Sequence, residues 1–443
     1  MHDVDLILSG GAALLMDRDF SRVENAALAV SCDRIAAIGS KSDIEQNYRA
    51  PRAIHVEDGL LLPGFVNCHT HAAMTCFRGI ADDMDLMDWL RNYIFPAEAR
   101  NLNPHVVYWA SLLACAEMIK SGTTTFCDMY IFEDETAQAA SEAGMRCLLG
   151  EGLFDFPSPS CQTPAEGLAY SRRLIEKWRN HPRIGVLITP HSLYTCSHDL
   201  LIEAKALADE YGLMIGIHLL ENGMELAGLD LKFDKGAVSY LEEIGYLNER
   251  LLAYHAVCLS SQDIRRFAQS GCKVSHNPAS NMKLASGVAP VPEMLAAGVC
   301  VGLGTDGCAS NNTLDMIREM SLASKLHKVH RLDPTVMDAK TMVHMATLGG
   351  AKTIGLEDLI GSLEVGKQAD IIVIDMKKPH LTPVYNDYSH LVYAASGADV
   401  HTVVIAGRPV MENRRLLTID ESDVMSQVRK ISKNIWSSLK PVT

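Results

Sequence analysis

The sequence predicts an α/β protein: a (β/α)8 TIM-like barrel joined to a small β-sandwich domain built from both chain ends. Two observations carry this prediction. Eight apolar, strand-like runs alternate with helical stretches and recur about every 34 residues, a natural length for a βα unit. Short strands broken by turns occupy the two ends of the chain and are scarce between them. A chain of 443 residues, 48% hydrophobic and 21% charged, can bury the large core that such a fold needs.

The N-terminal strands are expected at 5–10, 12–16, 26–32 and 34–39. Similar texture returns at 370–375, 401–410 and 414–419, with Gly407-Arg408-Pro409 as a hairpin turn. Neither end is large enough for a core of its own, so residues 1–61 plus 362–443 are expected to form one sandwich. The barrel is assigned to 62–361, its strands to 61–67, 123–128, 146–152, 184–189, 213–218, 251–256, 272–277 and 299–304.

Parallel barrels carry their reactive groups at the C-terminal ends of the strands. Here the first strand ends in His69 and His71, the fourth in His191 and the fifth in His218, followed by Glu221. The sixth ends in His255, the seventh in His276 and the eighth in Asp306. Seventeen histidines scattered at random would rarely mark five strand ends and leave an acid at another.

Residues i and i+2 of a strand share a face, so the His69 and His71 imidazoles should point together into the barrel mouth and begin a Zn²⁺ or Fe²⁺ site. His218 is the third candidate ligand. Asp306 is the fourth; its other reading is a helix N-cap, and three nearby histidines favour the metal. A hydrolytic metal site needs an open position for water and a group that moves protons. Glu221, just past the fifth strand, is the candidate general acid and base. His255 could orient the attacking hydroxide and His191 could hydrogen-bond a substrate, or either could support a ligand from behind. His276 reads as structural, and 327–331 as an exposed helix end. Met316 and Met320, at helical spacing, read as core.

Composition excludes several partners. The net charge of −14 repels nucleic acid. No apolar run approaches the roughly 20 residues that span a bilayer, and the first residues lack the pattern of a secretory leader. A soluble, cytoplasmic chain is expected. The twelve cysteines form no Cys-x-x-Cys pair, and several (Cys127, Cys147, Cys258, Cys300) sit in strand-like runs, which suits buried reduced thiols. Their spacing also argues against deaminases that hold zinc through cysteines.

The segments PGFVNCHTH (63–71), HLLE (218–221), HNPASNMKLASG (276–287), GTDGCASNNTLDM (304–316) and GSLEVGKQADIIVID (361–375) together resemble the amidohydrolase superfamily. Within it, the stretches at 71–90 and 94–99 are most similar to the 5′-methylthioadenosine/S-adenosylhomocysteine deaminases, and the resemblance spans nearly the whole chain. It implies one zinc (Zn2+; Fe2+ as the other choice) held by His69, His71, His218 and Asp306, and a nucleoside substrate. It implies that Glu221 protonates the purine ring nitrogen, that His255 polarises the attacking hydroxide, and that Glu98 accepts hydrogen bonds from ribose hydroxyls. His191 matches a substrate-contacting histidine, and Trp89 lies in the segment covering the site, where ordinary packing is its other reading. Without the resemblance, Glu98 reads as an exposed helical acid.

The reaction so implied is hydrolytic deamination: Asp306 takes a proton from the attacking water, Glu221 gives one to N1, C6 is attacked, and ammonia leaves an inosine-type product. The fourth strand end, Ile188-Thr189-Pro190-His191, lacks the lysine that bridges two metals in related cyclic amidases, which argues for one metal. Gly150-Glu151-Gly152 puts an acid where many members of the subgroup carry an arginine suited to an amino-acid carboxylate. Weaker use of S-adenosylhomocysteine than of adenosine, 5′-deoxyadenosine or 5′-methylthioadenosine is therefore expected. The competing readings are hydrolysis of a free base or triazine on the same site, and a barrel scaffold without catalysis. The expected partners are a small-molecule nucleoside and further copies of the chain as a homo-oligomer, with neither nucleic acid nor membrane.

Overall fold

The computed structural model describes residues 1–233 and 235–439. Eight regions of parallel strand form the centre. We label them β1 (Phe65–Thr70), β2 (Thr123–Tyr130), β3 (Arg146–Leu153), β4 (Ile184–Val186, continued by Thr189–Pro190), β5 (Ile215–Leu219), β6 (Leu251–His255), β7 (Lys273–His276) and β8 (Cys300–Leu303). Every residue of β1, β2, β5 and β6 is buried, as befits parallel strands covered on both faces by helices.

The hydrogen-bonded ladders make two parallel sheets, β1-β2-β3-β4 and β5-β6-β7-β8. This differs from the single continuous cylinder expected. Between β4 and β5 the pairing is reduced to the bridges Ile188↔Ile215 and Ser192↔His218. Between β8 and β1, the Asp306 amide donates to the His69 carbonyl at 2.9 Å. The Thr305 amide instead donates to the Asn67 side chain at 3.0 Å, and Asn67 Nδ2 returns a bond of 2.7 Å to Thr305 Oγ1. A side chain thus takes a place that a neighbouring strand's backbone would fill in a regular ladder.

Local sequence explains where the covering helices begin and end. Asn103 caps helix Pro104–Lys120, which has proline in its first turn, and Ser197 caps His198–Tyr211. Helix Ser261–Ser270 starts on a Ser260/Asp263 capping box and ends at Gly271, whose φ of 72° suits glycine.

Strands from the two chain ends interleave. A seven-stranded sheet pairs C-terminal strand Ile371–Asp375 with N-terminal strand Gly59–Pro63, antiparallel, with Ile372 opposite Leu62. A four-stranded sheet built around Leu6–Ser9 and Ala26–Ser31 shares an apolar cluster with it, including Leu6, Leu28, Leu61, Ile371 and Val404. The last element is not a strand. Helix Glu421–Leu439 leaves the terminal sheets and inserts Ile431 and Ile435 beside Trp89, Ile94 and Val106. Met316 and Met320 are core residues. No two cysteines are bonded to each other among the described residues; most are buried, whereas Cys258 and Cys300 are only half-buried and Cys32 is exposed. Among the described residues no helix is long and apolar enough to cross a membrane.

One buried ion pair ties the terminal sheets to the central strands. Arg146, on β3, donates through Nε to Asp370 Oδ2 at 3.1 Å and also reaches Gln368 and the Pro182 carbonyl. Asp370 Oδ1 accepts the Ala406 amide at 2.7 Å. Removing one partner strands a charge away from water. Asp370→Ala is expected to destabilise the fold by about 3–5 kcal/mol in urea unfolding, and a loss below about 1 kcal/mol would show that the pair is not structural.

Candidate active site

The strand ends converge as the histidine pattern suggests. Nε2 of His71 lies 3.2 Å from Asp306 Oδ1, and Nε2 of His69 lies 3.5 Å from the same oxygen. His218 completes the group, its ring centroid 5.0 Å from that of His69 and 5.4 Å from that of His71. His255 stands on the far side, with Nε2 3.9 Å from Asp306 Oδ2. Two triads share His69: His69, His71 and Asp306, and His69, His218 and His255. Each offers three ligand atoms within 4.8 Å of one another.

The second nitrogen of each of three rings is spoken for. His71 Nδ1 donates to the Met129 carbonyl, His218 Nδ1 to the His191 carbonyl at 3.0 Å, and His255 Nδ1 to Asn281 Oδ1 at 2.8 Å. These bonds fix the tautomers and turn three Nε2 lone pairs inward. His69 is fully buried, stacked 3.9 Å from the Tyr254 ring, and neither of its nitrogens has a hydrogen-bond partner. An orphaned imidazole of this kind is costly unless a cation takes its lone pair, so the residues present fit a divalent metal with nitrogen and oxygen ligands.

The backbone is shaped to the same end. Leu220, His255 and Asp306 have φ of 51°, 67° and 60°, left-handed conformations that cost non-glycine residues about 1–3 kcal/mol each and collect where function requires them. Gly304 is needed for close approach: a Cβ there would lie 2.5 Å from Asn277 Oδ1 and Ser275 Oγ and 2.9 Å from the His69 amide.

Asp306 is held from both sides. Ser280 Oγ donates to its Oδ2 at 2.6 Å, Ser310 Oγ to the same oxygen at 2.9 Å, and the Gly307 amide to Oδ1 at 2.8 Å. Burial opposes its charge, yet the facing His69 and His71 imidazoles keep the carboxyl well below the usual carboxylate range. Glu221 lies with Oε1 3.9 Å from His255 Nδ1, and burial pushes its carboxyl up. The turn that presents it is pinned by Glu225, which accepts the Leu220 amide at 3.1 Å and the Glu221 amide at 2.7 Å.

Above the cluster opens a cavity with His71, His218, Glu221, His255 and Asp306 at its floor. Glu98, Trp89 and His191 line it as well. Glu98 accepts a hydrogen bond from Tyr130 at 2.5 Å; burial raises its carboxyl, the Tyr130 bond opposes that, and the result is about 7. His191 is pushed down to about 3 by burial and bonds Thr195 at 3.0 Å through Nδ1. Trp89 gives its indole N–H to the Ala81 carbonyl at 3.1 Å, so it faces the cavity as an apolar wall.

Three expectations are corrected or refined here. Glu98 is buried, not an exposed helical acid, because helix Phe95–Asn101 turns that face onto Tyr130. His327 does not belong to an exposed helix end: it lies on the inner face of helix Met316–Arg331, fully buried, 3.1 Å from Nε2 of His276. Glu151 does not face the cavity; it accepts the Phe132 and Glu133 amides at 3.3 and 3.0 Å and a bond from Ser160, closing a loop. Ser280, Asn281, Glu225 and Tyr130 carry no expectation from sequence. Ser280 and Asn281 lie inside the 276–287 segment, which could have flagged them.

Parallel strands ending in a His/Asp cluster of this kind define a metal-dependent hydrolase class. The chain belongs to the amidohydrolase family, whose model matches residues 60–410. It is 58% identical over 440 residues to a protein of Syntrophus aciditrophicus described as 5-methylthioadenosine/S-adenosylhomocysteine deaminase 1, with 99% of each chain covered. It is 43% identical to a Methanosarcina barkeri protein described as 5′-deoxyadenosine deaminase, covering 97% of this chain and 98% of that one. Among solved structures, an adenosine deaminase from Xanthomonas campestris with bound zinc superposes with a TM-score of 0.97 at 36% identity, covering 98% of this chain and 99% of that one.

Asn281→Ala frees the His255 ring. Turnover is expected to fall roughly 10- to 100-fold while the metal content measured by elemental analysis stays at the wild-type level. Unchanged turnover would remove His255 from the chemistry.

Proposed function

We propose that this chain is a zinc-dependent aminohydrolase that converts an adenosine-type nucleoside and water into the inosine analogue and ammonia. The observation that carries the reading is the orphaned His69 imidazole beside His71, His218 and Asp306, at the floor of a cavity whose wall bears the buried carboxylate of Glu98. The descriptions of the relatives point to the same chemistry.

We read the two parallel sheets as halves of one (β/α)8 barrel over 62–361, supported by the bridges at β4/β5 and the Asp306–His69 bond at β8/β1. The terminal segments 1–61 plus 362–443 are its accessory domain. One zinc ion per chain is assigned to His69, His71, His218 and Asp306, with iron(II) as the alternative. When bound, such an ion acts as a Lewis acid and lowers the pKa of water from about 15.7 towards 7.

The protein's own groups move the protons. Asp306 accepts one from the attacking water, with Ser280 and Ser310 holding its other oxygen in place. Glu221, kept protonated more readily by burial, gives one to N1 as the oxygen joins C6. His255, oriented by Asn281, hydrogen-bonds the oxygen. The new hydroxyl then returns a proton to Glu221, Asp306 gives its proton to the amino group, and the C6–N bond breaks to release ammonia. Glu98 accepts hydrogen bonds from the ribose diol, His191 contacts the nucleoside, and Trp89 covers it.

The walls also bear on the 5′ substituent. Among the described residues lining the cavity there is no Lys or Arg, its ionisable acids are Glu98, Glu221 and Asp306, and Phe95, Phe154, Phe156, Pro157 and Leu284 supply apolar surface. A buried carboxylate without a cation is expensive. This favours 5′-methylthioadenosine and 5′-deoxyadenosine over the amino-acid tail of S-adenosylhomocysteine.

The deciding experiment follows ammonia release and loss of adenine absorbance across adenosine, 5′-deoxyadenosine, 5′-methylthioadenosine and S-adenosylhomocysteine. Activity on guanine, cytosine or a triazine instead, with none on nucleosides, would overturn the reading. Glu98→Gln is expected to lower kcat/KM for a nucleoside roughly 10- to 100-fold, the value of a charged hydrogen bond, and to leave any free-base activity alone. Because Glu98 titrates near 7 and binds the diol as a carboxylate, KM should fall as pH rises from about 6 to about 8. A KM independent of pH over that range would contradict its role.

A further inference from the structure

One wall of the cavity comes from residues 72–101. This cover is built of a 3-10 turn Ala72–Phe77, helix Leu86–Asp88, a π-helical turn Trp89–Ile94 and helix Phe95–Asn101. It contributes Leu86, Trp89, Leu90 and Glu98 to the cavity. Its bonds between 79 and 93 are nearly all internal: Trp89 to Ala81, Asn92 to Asp88, and Asp88 to Asp85. Among the described residues, one hydrogen-bonded pair links that stretch to the molecule outside the cover, Asp82 with Lys283.

Lys283 ends helix Pro278–Lys283, the element that also sends Ser280 to Asp306 and Asn281 to His255. An ammonium has three donors. Here they meet three acceptors: Asp82 Oδ1 on the cover, and Asn312 Oδ1 and the Ala309 carbonyl (3.2 Å) on the loop that follows Asp306. The lysine side chain is only 23% exposed and Asp82 38%, so solvent screens the pair in part. Arg78, at the base of the cover, grips the same loop through the Asn312 carbonyl and pairs with Glu117. The next residue, Leu284, faces the cavity itself.

We propose that Lys283 is a positioning residue that holds the cover over the bound nucleoside, joining Asp82 to the Asp306 loop through one ammonium group. It touches neither the metal ligands nor the reacting atoms. Its effect is on how tightly substrate is retained. The kinetic half of this inference rests on the nucleoside reading of the cavity; the structural half does not.

The test uses the full-length, metal-loaded protein with Lys283→Met, Lys283→Arg, Asp82→Asn and the double variant Asp82→Asn/Lys283→Met. Hydrogen exchange across 78–94 is measured without substrate, and kcat and KM with 5′-methylthioadenosine. Lys283→Met and Asp82→Asn should each speed exchange in that stretch and raise KM about three- to tenfold with kcat within about twofold. Lys283→Arg should restore most of the loss, and the double variant should be no worse than Lys283→Met alone. Exchange left at the wild-type rate in Asp82→Asn, or additive effects in the double variant, would overturn the proposal. So would a Lys283→Met whose kcat and metal content collapse while Asp82→Asn behaves as wild type, since the lysine would then only support the Asp306 loop. A wild-type protein that turns over no nucleoside would defeat the functional reading instead, and the exchange data would still decide the latch.

Discussion

Three imidazoles and a carboxylate crowded together away from bulk solvent tolerate one another only if their lone pairs face a common positive charge. That requirement shapes everything nearby. His71, His218 and His255 each give their outer nitrogen to a carbonyl or amide oxygen, so the inner nitrogens have one direction left. His69 has no such bond, and its place is secured by stacking on Tyr254 and by the tight approach that Gly304 permits. The strained left-handed residues at the ends of β5, β6 and β8 aim side chains that a relaxed strand would direct elsewhere.

Around this floor lies a scaffold of polar residues that never face the cavity's centre. Six residues, Pro278–Lys283, orient an acid through Ser280, a histidine through Asn281 and the cover through Lys283. Glu225 does the same for the turn bearing Glu221, by accepting two successive backbone amides. Buried groups of this kind stabilise through the hydrogen bonds they make, so site and fold are specified by the same network.

Much of this arrangement is legible in the sequence. Buried parallel strands read as unbroken apolar runs, and the residue just beyond each run lies at the catalytic end, which is why His69, His71, His218, His255 and Asp306 can be picked out. Glu98 escapes that logic because it sits on a helix and not at a strand end; only likeness to known deaminases singles it out. Tyr130 looks like one more strand residue until it is seen to bond Glu98. His327 looks exposed because charged residues follow it, whereas helical periodicity turns it towards His276. The final helix was hidden among the terminal strands, and its docking beside Trp89 depends on an apolar stripe, Val424, Val428, Ile431 and Ile435, that has meaning only against a partner.

The order of strands, the histidines and acid that stand at the strand ends, and the acidic character of the chain are determined by the sequence itself, because they depend on composition, on local periodicity and on what stands at the end of each run. Tertiary structure alone decided the rest: the direction each imidazole faces, the burial of Glu98, the replacement of a regular ladder by Asn67 between the first and last strands, and the seat of Lys283 among three acceptors. Those features arise between residues tens to hundreds of positions apart, and no local pattern encodes the distance or dielectric that sets them.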